Sequence, residues 1–135
     1  MKLILSITLF LIAWILIAVL FPLAVTFAII RGIYKRKPVD WYRSTERYFF
    51  EMAYALDKFG NVLIAPLFNS IMIVKAPQKM LFGDPDETIS SCLGRNKLHD
   101  NLTWVGRLLA NILDTIDENH CEKAADKFMS AKFGK

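Results

Sequence analysis

The stretch that decides the fold is residues 3–30, LILSITLFLIAWILIAVLFPLAVTFAII, in which every residue is apolar, small or a hydroxyl. A helix rises about 1.5 Å per residue, so this stretch would be roughly 42 Å long against a hydrocarbon core of about 30 Å. We therefore predict one transmembrane helix over residues 1–30. Pro22 removes one backbone hydrogen bond inside it, and a kink or a change of helix direction is expected there.

A cleaved signal peptide is the main alternative, because Lys2 followed by an apolar run also fits the start of one. The apolar region of a secretory signal is about 7–15 residues long and ends at small residues. Here the run is longer and continues directly into Arg31. The sequence therefore favours a retained anchor.

Basic residues crowd the stretch that follows the predicted span, residues 31–43, which we interpret as a juxtamembrane linker. By the positive-inside rule, they place the N-terminus outside and the rest of the chain in the cytoplasm. Each would also add about 1 kcal/mol of attraction to anionic lipid headgroups, so the lipid bilayer, and not a nucleic acid, is the predicted partner of this stretch. The residues are Arg31, Lys35, Arg36, Lys37 and Arg43.

Residues 44–132 are predicted to form a small helical cytoplasmic domain, which makes the fold class mainly α. Its first helix would run from Ser44 as N-cap to Phe59 and end at Gly60. Residues 62–74 are apolar but too short to span a bilayer. They are either a buried core segment or a segment lying in the membrane interface, and periodicity does not separate the two.

Three further helices are predicted. Asp84 as N-cap, Pro85 at the first position and Glu87 completing a capping box would start a helix that ends at Gly94. The next would start at Asp100 or Asn101, and a short last helix would follow a turn at residues 117–119. The middle one is strongly amphipathic, and its stripe forms either the core or an oligomer interface. The stripe consists of Leu102, Val105, Leu109, Ile112 and Ile116, broadened by Leu108 and Leu113.

Two polar groups could carry chemistry. Residues 83–91 combine carboxylates with hydroxyls, which suits acid–base or metal chemistry but equally suits a helix N-terminus. His120 and Cys121 supply an imidazole and a thiol, although neighbours on a helix point about 100° apart. The candidate catalytic residues are therefore Asp86, Glu87, His120 and Cys121. The structural alternative is a hydrogen bond from His120 to a carboxylate of residues 84–87, with Cys121 packed in the core.

Other signatures are absent from the sequence. There is no nucleotide-binding loop, no nucleophile elbow and no zinc-protease motif, so neither a cofactor nor a bound metal is predicted. His99 is expected to be solvated. Cys92 and Cys121 belong to no paired motif, and in a cytoplasmic domain both should be reduced thiols.

Three blocks of the chain resemble a family of short proteins encoded by tailed bacteriophages and prophages. They are ALDKFGN at residues 55–61, GDPDETISS at residues 83–91 and the pair His120–Cys121, so that the resemblance spans about half of the chain, from Ala55 to Cys121. Similar proteins join the first two blocks almost directly, whereas residues 62–82 intervene here, and they often carry Arg where this chain has Cys92. The resemblance implies a phage product that works in the host envelope, without implying a particular reaction. The motif residues are Gly60, Asn61, Gly83, Asp84, Pro85, Asp86, Glu87, Thr88, Ser90, Ser91, His120 and Cys121.

Our leading hypothesis is a single-pass protein of the bacterial inner membrane that acts by interaction and not by catalysis, as an accessory of lysis or of superinfection exclusion. It would bind a membrane or cytoplasmic protein. One alternative is a membrane-tethered hydrolase or metal-dependent enzyme that uses Asp86, Glu87, His120 and Cys121. The other is a homo-oligomeric structural subunit assembled through the stripe at residues 102–116.

Overall fold

The computed structural model describes residues 2–35, 38–77 and 80–134, and only the backbone at positions 33, 35 and 38–41. Within these residues the chain forms helices and one isolated antiparallel bridge, between Ile73 and Leu102, so the mainly α fold class is confirmed. The chain divides into an N-terminal unit, residues 1–50, and a C-terminal unit, residues 51–135. The helices are α1 (Lys2–Lys35), α2 (Pro38–Leu63), α3 (Ala65–Ile71), α4 (Ile89–Leu98), α5 (Trp104–Ile116) and α6 (His120–Phe133).

Helix α1 contains a segment, Lys2–Gly32, that is long and apolar enough to span a membrane. Its 31 residues correspond to roughly 46 Å of helix. The helix continues through Pro22, and the Thr26 hydroxyl donates to the Pro22 carbonyl at 2.8 Å. Ser6 and Thr8 donate in the same way to carbonyls one turn earlier, at 3.0 and 2.9 Å. The hydroxyls of this apolar segment are thus satisfied within the helix, as a hydrocarbon environment requires.

Most of the predicted linker, residues 31–43, is helical. Helix α1 extends to Lys35 and α2 already begins at Pro38, because Lys and Arg are good helix formers and proline is well tolerated at a first helical position. Of the predicted headgroup contacts, the Arg31 and Arg43 side chains are exposed. Arg36 and Lys37, and the side chain of Lys35, lie outside the described part of the chain.

The predicted end of the first domain helix is wrong. Helix α2 continues past Gly60 to Leu63, and the Ile64 amide still donates to the Gly60 carbonyl at 3.0 Å. Gly60 serves a close approach instead, because a Cβ there would lie 3.1 Å from Cδ1 of Ile89. From the sequence alone, a glycine at such a contact cannot be distinguished from a glycine that ends a helix.

The bounds of α4 also differ from the prediction. The helix begins at Ile89 with Thr88 as N-cap, whose hydroxyl accepts the Ser91 amide at 3.1 Å. Asp84 forms a turn instead, accepting the Asp86 amide at 3.0 Å on its side chain and the Glu87 amide at 3.1 Å on its carbonyl. Pro85 is therefore a turn residue and not the first residue of the helix. Short polar side chains suit both a helix N-cap and a turn. The turn forms here because Asn61 of α2 holds the backbone of residues 83–87.

Two more boundaries need correction. Helix α4 does not end at Gly94 but continues to Leu98. Gly94 instead allows α6 to come close, because a Cβ at this position would lie 2.0 Å from the Cys121 carbonyl oxygen. Helix α5 begins at Trp104, with Thr103 as N-cap, and not at residue 100 or 101. Asp100 has a left-handed φ of 53°, which keeps it out of a helix. The predicted turn at residues 117–119 and the helix after it are confirmed.

The core of the C-terminal unit lies where α4 packs against α5 and, most extensively, α6. Cys92, Leu93, Ala110 and Cys121 are fully buried there. From the apolar segment 62–74, part joins the core and part remains exposed. The core members are Ala65, Met72 and Ile73, and the exposed ones are Val62, Leu63, Leu67, Ile71 and Val74.

The amphipathic stripe of α5 is divided in the same way. Leu102 is buried, and Val105, Leu109 and Leu113 pack against the core. Leu108, Ile112 and Ile116, which the periodicity also assigned to the stripe, are exposed. The reason is that α5 buries small residues, Gly106 and Ala110, along the line where it meets the core.

Candidate functional site

The centre of the GDPDETISS block is a buried carboxylate, Glu87, whose side chain is fully inaccessible. Arg95 grips it with two parallel bonds, Nε to Oε1 at 2.6 Å and Nη2 to Oε2 at 2.5 Å. The Ser91 hydroxyl also donates to Oε1, at 2.8 Å. Bidentate, charge-assisted bonds of this kind are the strongest a carboxylate makes in a protein. Glu87 is thus an internal tie between the turn and α4.

Asn61 ties the same turn to α2. It is fully buried, and its Nδ2 donates to the carbonyls of Asp84 at 3.0 Å and Glu87 at 2.9 Å. Its Oδ1 accepts the Gly83 amide at 3.2 Å. Gly83 has a φ of 119°, which only glycine adopts readily. A single amide side chain therefore fixes three backbone groups of the turn.

Asp57, one helical turn before Asn61, holds the start of α4. Its Oδ1 accepts the amide of Ile89 and its Oδ2 accepts the hydroxyl of Ser90, both at 3.0 Å. A carboxylate at a helix N-terminus also opposes the positive end of the helix dipole. We call Asp57, Asn61, Glu87, Ser91 and Arg95 the polar knot.

Sequence reasoning missed Asp57 and Arg95 as members of this site. Glu87, Ser91 and Arg95 are spaced four and eight residues apart, a helical spacing that was available in the sequence. The signal was hidden because Glu87 was interpreted as part of a capping box. Asp57 has no local signal, since its partners lie 32 and 33 residues away along the chain.

The four candidate catalytic residues have separate partners. Asp86 is exposed, and Glu87 is bound in the polar knot. His120 pairs with Asp117, Nδ1 to Oδ2 at 3.1 Å, so the predicted bond from His120 to a carboxylate of residues 84–87 is wrong. Asp117 is favoured because it lies three residues earlier in the turn that starts α6. Among the described residues, no three His, Cys, Asp or Glu side chains are grouped to hold a metal ion.

Cys92 and Cys121 are free, buried thiols, and the predicted packing of Cys121 in the core is confirmed. Burial raises the pKa of each thiol from 9.0 to about 12, reinforced by Glu87 beside Cys92 and by Asp114 beside Cys121. Both are therefore protonated at neutral pH. Since the thiolate is the nucleophile, neither cysteine is suited to covalent catalysis.

We expect neither cysteine to react with iodoacetamide in the folded protein at neutral pH, and both to react after unfolding. The same pKa shifts predict that stability falls as the pH rises from about 9 towards about 12, because the unfolded thiols ionise there while the folded ones stay protonated. Mass spectrometry of alkylated protein, with and without denaturant, measures the first expectation. Rapid labelling of either thiol in protein that keeps its helical spectrum would contradict it.

A cleft of about 540 Å³ opens beside the polar knot, between α4, α6 and residues 80–84. The Phe128 ring lines it, with Cζ of Arg95 5.4 Å and Nζ of Lys132 5.1 Å from the ring centroid. Lys132 forms an ion pair with Asp84, and this bond holds the pKa of Asp84 below its usual range. The apolar rim consists of Leu98, Met129 and Phe133, all exposed.

The cleft connects the motif to a surface. Asp84 contributes to its wall directly, and Glu87 contributes by fixing Arg95. Among the described residues that line it, Arg95 is paired with Glu87 and Lys132 with Asp84, while Asp126 is exposed on α6. The described lining is therefore mostly apolar with its two cations paired, which suits an apolar side chain better than an ionic ligand.

Comparison of the chain with models of protein families, with curated proteins and with solved structures finds no match. The functional assignment therefore rests on the residues of the chain itself.

Proposed function

We propose that this protein is a phage-encoded, single-pass protein of the bacterial inner membrane that acts by binding a partner protein. Helix α1 would be the anchor, and the basic residues that follow it favour a cytoplasmic location for the C-terminal unit. The observation that carries the interaction role is that the polar groups of the motif are engaged in shaping the wall of a mostly apolar cleft.

The contacts of the motif support binding over catalysis. A general acid or base needs a free hydrogen-bonding position towards substrate. Both carboxylate oxygens of Glu87 instead accept hydrogen bonds inside the protein, from Arg95 and Ser91. The Asn61 amide forms three hydrogen bonds with backbone groups. His120 and Asp86 remain accessible, and the described hydrogen bonds of their side chains and backbone do not join them to each other or to the buried thiols.

The lining of the cleft indicates the chemistry of the partner. Leu98, Met129 and Phe133 expose apolar surface around the Phe128 ring, and adaptable Met side chains are common at binding surfaces. A partner segment with an apolar or aromatic anchor would fill such a cleft, as anchor residues do in protein interfaces. The choice of process rests on the resemblance to phage proteins, which suggests an accessory role in host lysis or in superinfection exclusion.

The test uses the full chain expressed in a bacterial host, with lysis timing and the plaquing efficiency of a challenging phage as readouts. Met129→Glu places a charge where the bound partner would bury it, and is expected to reduce the effect at least about tenfold, since burying a charge without a counter-charge costs several kcal/mol. Ser130→Glu is the matched control, because Ser130 is also exposed on α6 but does not line the cleft. Asp86→Asn and His120→Gln should keep the full effect.

Three results would count against the proposal. Recovery of the protein in the soluble fraction after membrane sedimentation would remove the anchor. Loss of the effect in Asp86→Asn or His120→Gln, with Met129→Glu unaffected, would favour an enzyme. A chain that changes neither lysis nor plaquing would exclude both processes.

A further inference from the structure

Helix α5 presents large apolar side chains to solvent on the side that its small residues do not bury. Trp104, Leu108, Ile112 and Ile116 recur every four residues and are 77%, 52%, 50% and 79% exposed. Their spacing places them along one side of the helix. A soluble monomer rarely leaves such a continuous apolar stripe uncovered.

The end of α3 extends this stripe. The Thr103 amide donates to the Met72 carbonyl at 2.9 Å, and the Thr103 hydroxyl donates to the Ile71 carbonyl at 2.7 Å. These bonds fix the C-terminal end of α3 beside the first residue of α5, Trp104. Helix α3 adds two exposed apolar side chains, Leu67 and Ile71. We call the set Leu67, Ile71, Trp104, Leu108, Ile112 and Ile116 the apolar face.

Few charges lie along the central part of the apolar face. Residues 59–74 contain no charged side chain, and residues 101–113 contain only Arg107, which pairs with Asp100. The carboxylates near Ile116 are at its end of the face, where Asp114 pairs with Lys97, and Asp117 pairs with His120 and Lys123. The central part therefore has no Asp or Glu that an anionic bilayer surface would repel. An amphipathic helix that lies in a membrane interface places Trp and aliphatic residues on its buried side, as this face does.

We infer that the apolar face lies in the boundary between headgroups and acyl chains of the bilayer that α1 spans. The inference rests on the anchoring part of the proposed function. Because the anchor is in the same chain, it supplies the bilayer at a high effective concentration, so a weak interfacial affinity is sufficient. Trp104 suits this depth, since indole rings favour the headgroup zone of a membrane. In this arrangement the C-terminal unit is peripherally bound to the membrane surface.

The test uses the full chain reconstituted into liposomes of anionic and zwitterionic lipid with brominated acyl chains. Trp14→Phe and Trp41→Phe leave Trp104 as the single tryptophan. At an insertion depth of about 5–10 Å the indole would meet the bromines, so we expect it to lose roughly half or more of its emission relative to unbrominated liposomes. Adding Ile112→Glu and Ile116→Glu, at two exposed positions, should abolish this loss.

The matched control moves the reporter off the apolar face. In a Ser130→Trp chain that also carries Trp14→Phe, Trp41→Phe and Trp104→Phe, the tryptophan lies on an exposed position of α6, and its emission should be nearly unchanged by bromine. Equal quenching of both reporters would overturn the inference, because the contact would not be specific to the apolar face.

The experiment distinguishes failure of the α1 anchor from failure of membrane contact by the apolar face. If the chain stays in the liposomes after an alkaline carbonate wash but Trp104 is not quenched, anchoring stands and the inference is overturned. If unquenched Trp104 is accompanied by disulfide formation between copies of an Ile116→Cys chain, the apolar face is an oligomer interface. If the chain is washed out of the liposomes, the anchoring itself is wrong.

Discussion

Glu87→Gln is expected to lower the free energy of unfolding of the C-terminal unit by about 3–5 kcal/mol, as breaking one side of a buried ion pair does. The Glu87 side chain is fully buried and bound by two nitrogens of Arg95. A glutamine keeps the shape but presents an NH2 group to one of those nitrogens, which removes the Glu87 charge from a mostly buried guanidinium. The cost comes from the loss of this charge pair.

Urea unfolding of the full chain in detergent micelles, followed by far-UV circular dichroism, measures the loss. The matched control is Asp117→Asn, which removes an exposed carboxylate that pairs with His120 and Lys123 and should change stability little, because exposed ion pairs are screened by solvent. Adding Arg95→Gln to Glu87→Gln should cost less than the sum of the two single changes, because the residues share one interaction. A loss for Glu87→Gln as small as that of Asp117→Asn would show that the polar knot does not hold the turn.

Gly94→Ala is expected to be comparably damaging, with a loss of about 3 kcal/mol or more. The added Cβ would lie 2.0 Å from the Cys121 carbonyl oxygen and 2.5 Å from its carbon, so two helix backbones must separate. The α4–α6 contact is the most extensive packing between helices of the C-terminal unit, and no side-chain rotation relieves the clash.

Gly60→Ala provides a control of the opposite sign. Among the described residues, its Cβ would meet only the tip of the flexible Ile89 side chain, at 3.1 Å, and an alanine is favoured over glycine inside a helix by roughly 0.5–1 kcal/mol. The same unfolding measurement should therefore show a neutral or stabilising effect. If Gly94→Ala were also neutral, the close approach of α4 and α6 in the structure would be wrong.

The sequence predicted the features that depend on composition and local chemistry. An unbroken apolar run specifies a long helix whatever the rest of the chain does, and the turn at residues 117–119 was recognisable from its polar residues alone. Between Asp84 and Thr88, both good N-caps, the choice depended on Asn61, which binds the turn from another helix. No local pattern contains that information.

The predictions made from glycines and from the apolar stripe were wrong in part because they, too, depend on contacts between distant residues. Gly60 and Gly94 were expected to end helices, whereas each permits a neighbouring element to approach, and both uses require only the absence of a side chain. Ile112 and Ile116 were assigned to a core or an oligomer interface because periodicity indicates an apolar environment without saying which one. Only packing shows that α5 turns Gly106 and Ala110 inward in their place.

The bond from the Gly83 amide to Asn61 has a consequence for shortening this part of the chain. It brings residue 61 and residue 83 together in space, so residues 62–82 are an excursion whose ends already meet. A variant that replaced them with a short linker could keep this bond at a lower loop-closure cost, while losing Met72, Ile73 and Phe82 from the core. It would also lose the exposed Leu67 and Ile71. Residues 62–82 thus add both to the buried core and to the exposed apolar surface of the C-terminal unit.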